Sequence, residues 1–581
     1  MLFCSDLSNG TYRNPVLYGD YSDPDVIRTG SDYYMISSSF TNTPGIPVLH
    51  SKDLVNWQVV NYAVDNLPGE SYRAVRHGCG IWAPSIRFHE GMYYIYFPMP
   101  DEGIYVCKTA NPLEKWSEPV CILSGKGYID PCPFWDEDGK AYLICALAAS
   151  RAGRKSVLLL APMTWDGMSL TDCFECIFDG NNSENDTIEG PKLYKRNGYY
   201  YIFAPSGGVK AGHQAVLRST NITGPYEYRI ALKQGNSPVN GPHQGGWVDT
   251  PEGEDFFLHF QDVYAGGRIV HLQPMRWEDD WPVIGKAGAG ETCGEPVMTG
   301  KKPAGAPEIK KPFRPDCSDD FKGSELGLQW QWNANYSPSW YRMLSDGMFL
   351  SAFPTENNLA LCDCPSLLLQ KWPAPEFVCK TVLDYSSLKP GECAGIVSLG
   401  TIYAGLGIRA DYSKNLSGKS TENSSEASSD NSPSDPSADS SAESYEKKHS
   451  IVLIHGRLSY SGSTSSAVQE EKILPLSEEV FHLCKNRMEF TLTVRITGHE
   501  DYADRTDYLG RTQWVRNVPK ETITLSLNNP LNPSAPLASF EIPALAGRWV
   551  GVKNGIFCIK NTAGNTSDGG VVVKNVVYDS L

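Results

Sequence analysis

Five short aromatic runs recur in the first half of the chain, and their regular spacing strongly restricts the possible folds. The runs begin at residues 33, 93, 141, 200 and 256, so successive runs lie 60, 48, 59 and 56 residues apart. Most of them follow a glycine-containing turn, and little helical periodicity separates them. A group of strands repeated at this period predicts a five-bladed β-propeller over residues 1–300.

The segments that precede these runs are also in register, and several carry an acidic residue. Counting back eleven positions from residues 93, 141 and 200 gives Trp82, Asp130 and Glu189, and ten positions back from residue 33 lies Asp23. The innermost strand of each propeller blade faces the central axis, so equivalent positions in successive blades converge. Three carboxylates and a tryptophan are therefore predicted to meet in one pocket. The fifth blade has no matching carboxylate, but it offers His243 nearby.

This set of side chains has the chemistry needed to hydrolyse a glycosidic bond. Such hydrolysis uses one carboxylic acid to protonate the leaving oxygen and one carboxylate to assist water or act as nucleophile. The longer Glu189 suits the acid, and the shorter Asp23 suits a base. Asp130 would keep a proton on Glu189 by like-charge repulsion. The same three carboxylates could instead hold a cation.

Three further residues have more than one interpretation. Trp82 is in register with the carboxylates, which favours a platform for a sugar ring over a place in the core. His243 could be a buried structural histidine, a cation ligand acting through water, or a residue that orients Asp130. Arg268 could donate hydrogen bonds to sugar hydroxyls or to a catalytic carboxylate.

The second half of the chain has a different organisation. Residues 301–316 are rich in proline and predict a semi-rigid linker. Strand-like runs separated by turns over residues 317–581 predict a β-sandwich, so the fold class is all-β. Within it, residues 417–444 contain twelve serines and no aromatic residue. We predict a disordered insertion rich in Ser and Asp at about 413–448, between two sandwich strands.

Charge and cysteine usage limit the partners and the compartment. The net charge of −16 argues against nucleic acid and membrane surfaces as partners. The first residues lack a basic region followed by an apolar stretch, and 16 cysteines are scattered along the chain. We therefore expect a cytoplasmic protein. A homo-oligomer is compatible with the sequence.

Several segments, in order over residues 12–285, resemble glycoside hydrolase family 43. They are NPVL, DYSDPD, SSSFTNTPGIPVLHSKDLVNW, GIWAPSIRFHEGMYYIYF, IDPCPFWDEDGKAYL, IEGPKLYKRNGYYYIF and GRIVHLQPMRW. The C-terminal part, from Asp319-Asp320-Phe321 through LLQKWPAPEFVCKTVLD, is similar to the concanavalin-like sandwich of the β-xylosidase and α-L-arabinofuranosidase branch.

The resemblance implies a role for each matching residue. It implies that Asp23 is the general base, that Asp130 tunes and orients the acid, and that Glu189 is the general acid. The family inverts anomeric configuration, so Asp23 would activate water. In this branch a loop from the second domain typically closes the pocket rim, but the sequence does not identify that loop.

The resemblance also implies the surroundings of these carboxyl groups. Phe40 and Trp82 match aromatic positions around the sugar pocket, and Arg268 matches an arginine that contacts the sugar. His243 matches an axial histidine that lies beside a bound calcium or water in several members. No cofactor is required for the expected reaction, although a structural calcium at the propeller axis is an alternative.

The expected function is an exo-acting, inverting glycoside hydrolase that acts on oligosaccharides. It would remove terminal β-D-xylose, α-L-arabinofuranose or both from plant-derived chains. One alternative is a carbohydrate-binding propeller without catalysis, which would not need all three carboxylates. Another is an endo-arabinanase, which would need an open cleft instead of a pocket.

Overall fold

The computed structural model describes residues 2–355, 359–414, 445–461, 464–506, 510–561 and 569–581. In its N-terminal half, the described residues form five four-stranded antiparallel sheets, each built from four consecutive strands. These sheets are the blades of a five-bladed β-propeller, as predicted. The blade strands are β2 (Asp25–Thr29), β3 (Asp32–Ile36), β4 (Gly45–Ser51) and β5 (Gln58–Val64); β6 (Ser85–His89), β7 (Met92–Met99), β8 (Gly103–Thr109) and β9 (Val120–Ser124); β10 (Tyr128–Trp135), β11 (Ala141–Leu147), β12 (Val157–Met163) and β13 (Glu175–Asp179); β14 (Lys192–Arg196), β15 (Tyr199–Ser206), β16 (His213–Ser219) and β17 (Glu227–Leu232); and β18 (His243–Asp249), β19 (Asp255–Asp262), β20 (Arg268–Glu278) and β21 (Trp281–Ile284).

The five aromatic runs of the sequence are the second strands of the blades, β3, β7, β11, β15 and β19. Each lies between two strands of its own sheet and packs against neighbouring blades, so its side chains on both faces are mostly buried. Double-sided burial explains why these strands read as continuous apolar runs, without polar alternation.

The ends of the propeller chain are tied together. Strand β1 (Thr11–Arg13) pairs with β22 (Thr299–Lys301), which joins the start of the domain to its end. Next to this pair, Lys302 Nζ lies 2.8 Å from Asp6 Oδ2 and 2.6 Å from Asp53 Oδ2. This buried ion cluster supports closure of the ring.

Two sheets packed face to face form the C-terminal domain, a β-sandwich as predicted. Among the described residues, one sheet has the order β23-β27-β36-β29-β30-β31-β32 with β26 beside β36, and the other has the order β24-β25-β37-β28-β33-β34-β35. Their strands are β23 (Gln331–Trp332), β24 (Tyr341–Leu344), β25 (Gly347–Ser351), β26 (Phe353–Thr355), β27 (Leu368–Lys371), β28 (Phe377–Asp384), β29 (Glu392–Leu399), β30 (Ile402–Lys414), β31 (Tyr445–Ser461), β32 (Thr464–Pro475), β33 (Arg487–Thr506), β34 (Thr512–Leu527), β35 (Ala538–Pro543), β36 (Lys553–Asn561) and β37 (Gly570–Asp579).

The predicted insertion at 413–448 lies between β30 and β31. These strands pair up to Lys414 and Tyr445, so the two ends of the predicted segment belong to strands. The disorder predicted for residues 415–444 falls outside the described residues.

Helices are short in both domains. Those among the described residues are α1 (Ala149–Ala152), α2 (Glu478–Leu483) and 3₁₀ turns at Glu70–Arg73, Tyr264–Gly266, Pro338–Trp340 and Leu361–Asp363. Within the described ranges, none is long and apolar enough to cross a membrane.

Two of the segments through which the sandwich docks against the propeller lie near β23 and near the propeller axis. The first surrounds β23, where Thr43 and Trp332 exchange backbone hydrogen bonds of 3.1 and 2.6 Å. The second is the loop 545–552, which is anchored by a bond of 2.8 Å from the backbone N–H of Val552 to the carbonyl of Ala265. The second segment reaches the mouth of the propeller axis.

Candidate functional site

A cavity of about 220 Å³ opens at one end of the propeller axis. Asp23 and Arg268 both line it, although 245 positions separate them in the chain. The structure therefore brings every predicted site residue into one place, and these residues are Asp23, Phe40, Trp82, Asp130, Glu189, His243 and Arg268.

Asp23 is buried and held by a dense set of donors. Its Oδ2 accepts hydrogen bonds of 2.6 Å from both Ser22 Oγ and Ser38 Oγ. Arg268 Nη1 lies 3.0 Å from Oδ1 and 3.2 Å from Oδ2. Within the described part of the chain, Oδ1 accepts a hydrogen bond from Arg268 alone. One lone pair of Oδ1 is therefore left for a substrate or water proton, beside a fixed positive charge.

Asp130 and Glu189 form a pair with unequal exposure. Asp130 is buried, and its Oδ2 accepts a 2.7 Å hydrogen bond from the backbone N–H of Gly190. Burial, followed by repulsion from Glu189, raises the pKa of Asp130 to about 7. The Glu189 side chain is 27% exposed and faces the cavity. Asp130 therefore keeps its proton up to near-neutral pH, next to Glu189 in the same cavity.

Backbone conformation projects these carboxylates toward the axis. Asp23 (φ 54°) and Asp130 (φ 56°) occupy the left-handed region, which is unfavourable for residues other than glycine, and each precedes a proline. The pairing of β10 with β11 shifts register between Ile129 and Cys132, so Asp130 lies in a bulge. Backbone strain of this kind is concentrated at functional sites. Here it recurs at equivalent places in two blades.

Gly190 is required by its conformation and by its neighbour. Its φ is +61°, and a Cβ placed there would lie only 2.8 Å from the side-chain amide carbon of Gln244. The glycine allows its N–H to reach Asp130 while Gln244 packs against it. A larger residue here would displace one side of the carboxylate pair.

His243 lies beside the predicted acid, with its Nε2 3.4 Å from Glu189 Oε1. Both ring nitrogens are buried and have no hydrogen-bond partner among the described residues. Calcium takes about six to eight oxygen ligands, whereas the side chains near this ring supply one imidazole and one close carboxylate. Among the described residues, the group of three candidate ligands that comes together is instead His77, Cys362 and Asp363, at the domain interface. Side chains next to His243 therefore do not by themselves complete a calcium coordination sphere.

Aromatic rings form the rim of the cavity. The rings of Phe40 and Trp82 lie 6.3 Å apart, and Trp549 from the sandwich domain meets Trp82 edge to face at 4.7 Å. The Arg151 guanidinium lies 5.1 Å from the Trp82 ring and 5.8 Å from the Trp549 ring. Flat apolar faces with nearby polar groups suit a sugar ring.

The loop that carries Trp549 is anchored close to the predicted base. Asp20 accepts hydrogen bonds of 3.0 Å from the backbone N–H groups of both Gly551 and Arg268. A Cβ at Gly551 would lie 2.7 Å from the Cα of Gly267, so the two backbones are in close contact. Asp20 thus links the sandwich loop to the arginine that contacts Asp23.

Sequence reasoning did not find Trp549, Arg151 or Lys192. Trp549 lies outside the propeller repeat, and Arg151 lies in the short helix α1 after β11. Lys192 is fully buried, and its charge opposes the rise in the pKa of Asp130. It directly follows the repeated segment Glu189-Gly190-Pro191, which is the one signal that could have pointed to it.

Two carboxyl groups facing one sugar-sized cavity, with a third behind them, provide the acid and base chemistry of glycosidic hydrolysis. On this propeller they place the protein among the glycoside hydrolases. Residues 12–282 match the model of glycosyl hydrolases family 43, and residues 318–451 match that of the beta-xylosidase C-terminal concanavalin A-like domain.

Named relatives agree with this match. A protein of Xylanibacter ruminicola that bears the name "Putative beta-xylosidase" is 40% identical over 410 residues, which cover 70% of this chain and 74% of the relative. A beta-xylosidase of Formosa agariphila is 31% identical over 459 residues, 70% of this chain and 76% of the relative. The chain belongs to glycoside hydrolase family 43.

Solved structures share the whole architecture. A xylan beta-1,4-xylosidase from Bacillus halodurans superposes with a TM-score of 0.70 at 20% identity, covering 98% of this chain and 100% of that one. A family 43 protein from Bacillus licheniformis gives a TM-score of 0.71 at 23% identity, with the same coverage of both chains. At these identities the likeness establishes the fold.

Proposed function

We propose that this glycosidase is exo-acting and inverting, and that it removes terminal β-D-xylose or α-L-arabinofuranose from plant-derived oligosaccharides. The observation that carries this proposal is the small cavity, whose rim is flanked by Trp549 from the second domain beside Trp82. At about 220 Å³, the cavity is smaller than the roughly 300–1,000 Å³ of ordinary ligand pockets. It suits one terminal sugar better than the middle of a chain.

The choice of sugars is supported by the named relatives. Besides the two already described, a non-reducing end alpha-L-arabinofuranosidase of Bacteroides ovatus is 28% identical over 410 residues, 67% of this chain and 74% of the relative. The two sugars place similar hydroxyl groups in space, so one pocket can accept both. An endo-arabinanase is disfavoured because the cavity is small and Trp549 flanks its rim.

In the proposed mechanism Asp23 is the general base. Its Oδ1 takes a proton from a water molecule that attacks the anomeric carbon, while Arg268, Ser22 and Ser38 hold the carboxylate in place. Glu189 projects into the cavity and gives its proton to the leaving oxygen. Asp130, buried behind it, supplies the repulsion that keeps a proton on the pair.

Substrates that differ in their leaving group test these roles. Asp23→Ala should abolish turnover of every substrate. Glu189→Ala should lower kcat on a natural disaccharide by about 100-fold or more, but should spare a dinitrophenyl glycoside, whose leaving group needs no proton. Equal losses on both substrates would refute the role of Glu189.

The stereochemical outcome tests the role of Asp23 separately. Proton NMR of the product released from the best nitrophenyl glycoside should show inverted anomeric configuration, because water attacks directly. Retention would contradict a base role for Asp23. Binding without product release in a long incubation would favour the carbohydrate-binding alternative, and cleavage inside long arabinan would favour the endo-acting one.

A further inference from the structure

A second cavity, of about 570 Å³, lies at the other end of the propeller axis. All five blades border it, through residues 26–28, 87–89, 133–137, 193–195 and 247–249. These residues belong to the inner strands β2, β6, β10, β14 and β18 or directly follow them. Each inner strand starts near the carboxylate pocket and ends at this second cavity, which we call the far cavity.

A buried ion pair separates the far cavity from the carboxylate pocket. Arg87 Nη1 lies 2.7 Å from Asp25 Oδ2, and Asp25 is fully buried. The same carboxylate oxygen accepts a 2.9 Å hydrogen bond from the backbone N–H of Ile86. The Arg87 guanidinium also covers the ring of Tyr194 at 5.2 Å. A ligand in the far cavity would therefore not reach Asp23 or Glu189.

The far cavity presents aromatic rings that are already fixed in position. Phe88 is 45% exposed, and Trp135 and Trp247 are partly exposed. Trp135 stacks on His89 at 4.5 Å and donates from Nε1 to the carbonyl of Trp165. Trp247 Nε1 donates to Asp255 Oδ1 at 2.6 Å. Because these rings need little ordering, a flat ligand face can stack on them at low entropic cost.

The charges around the far cavity compensate one another. Arg28 pairs with Asp249, and Lys195 Nζ contacts Asp136 Oδ1. With Arg87 paired to Asp25, each lining arginine and lysine has an acidic partner. The cavity is thus locally balanced in a chain of net charge −16. Such a surface favours a neutral ligand that combines apolar faces with many hydroxyl groups.

We propose that the far cavity is a non-catalytic binding site for a neutral pentose chain, a segment of arabinoxylan. Aromatic platforms, charge balance and a volume larger than that of the carboxylate pocket fit several linked sugar units. The choice of pentose rests on the proposed function, whereas the binding of a neutral sugar chain does not. The site would keep such sugar chains close to the carboxylate pocket, which acts on chain ends.

Native gel electrophoresis through soluble arabinoxylan tests this site. The gel contains saturating free xylose and arabinose to fill the carboxylate pocket, and all proteins carry Asp23→Ala to prevent digestion. The parent protein should be retarded. Phe88→Ala should weaken the retardation at least about 5-fold, whereas Phe313→Ala, which removes another phenylalanine that is 39% exposed, should leave it unchanged. In the active background, Phe88→Ala should hydrolyse a nitrophenyl xyloside at the normal rate.

Each possible result of the gel experiment either supports or overturns the proposal. An absence of retardation in the parent protein, or equal retardation of Phe88→Ala, overturns the proposal. Equal weakening by Phe313→Ala also overturns it, because the effect would then not belong to the cavity. Retardation by xyloglucan but not by arabinoxylan overturns the choice of pentose. Retardation that depends on Phe88, in a protein that hydrolyses no pentoside, supports the far cavity and refutes the proposed function alone.

Discussion

Lys192, the first residue of β14, shows how one buried charge adjusts the carboxylate pair. It has no exposed surface, and its Nζ has no hydrogen-bond partner in the described part of the chain. Its positive charge lowers the pKa of Asp130, against the larger effects of burial and of Glu189. Burial, Glu189 and Lys192 are the three largest influences on the pKa of Asp130, and the two side chains can be removed by substitution.

The pH dependence of the enzyme should follow this pair. The pKa of Asp130 is raised to about 7, so this carboxyl group keeps its proton below that pH and loses it above. We expect kcat/KM for a disaccharide to fall as the pH rises through about 7, because the leaving oxygen then lacks its acid. A dinitrophenyl glycoside needs no proton, and it should lose less activity over the same range. Identical alkaline limbs for the two substrates would contradict this assignment.

Substitution of the two neighbours should move the alkaline limb in opposite directions. Asp130→Asn removes a negative charge beside the acid, so the limb should move to lower pH by roughly one unit. Lys192→Met removes the positive charge that lowers the pKa of Asp130, so the limb should move to higher pH. Rate profiles over pH 4–9 measure both shifts. If both variants moved the limb the same way, charge would not be the cause.

At the level of strands and loops, the repeat determined what could be predicted. Asp23 and Asp130 occupy equivalent places in the first and third blades, so counting residues was enough to bring them together. The strain at these positions and the bulge in β10 depend on backbone geometry that the sequence pattern does not encode. The loop 545–552 reaches the pocket because a distant sandwich docks there, and no local signal predicts that contact.

Trp549 should therefore determine how well the pocket holds a terminal sugar. Trp549→Ala opens the rim beside Trp82 and should lower kcat/KM about 10-fold, mainly through a higher KM, since one stacking face is lost. Trp549→Phe should recover most of the loss. Trp514→Ala is the matched control, because that side chain is 54% exposed and lies outside the pocket lining. A normal KM for Trp549→Ala would show that the loop does not form the sugar site.

For the whole molecule, the sequence predicted two all-β domains but not how they meet. Asp20, Thr43 and Leu67 of the propeller all contact the sandwich through hydrogen bonds, yet nothing in their local sequence marks them as interface residues. The far cavity was missed for a related reason. Acidic residues in register predict a site at one end of the axis. The other end carries aromatic residues, and in the sequence these look like residues of buried core strands.

The interface should make the two domains unfold together, and Asn335 provides the test. Its side chain accepts a 2.7 Å hydrogen bond from the backbone N–H of Leu67 and donates a 2.8 Å bond to the Leu67 carbonyl. Asn335→Ala leaves both groups without these partners, so we expect a loss of about 1–3 kcal/mol in the free energy of unfolding. Urea denaturation followed by tryptophan fluorescence should show one transition at a lower midpoint, and the exposed Asn236→Ala should leave it unchanged. Two separate transitions in the parent protein would mean that the domains are stable independently. Stable docking of the sandwich would then not explain the position of Trp549 at the rim of the cavity.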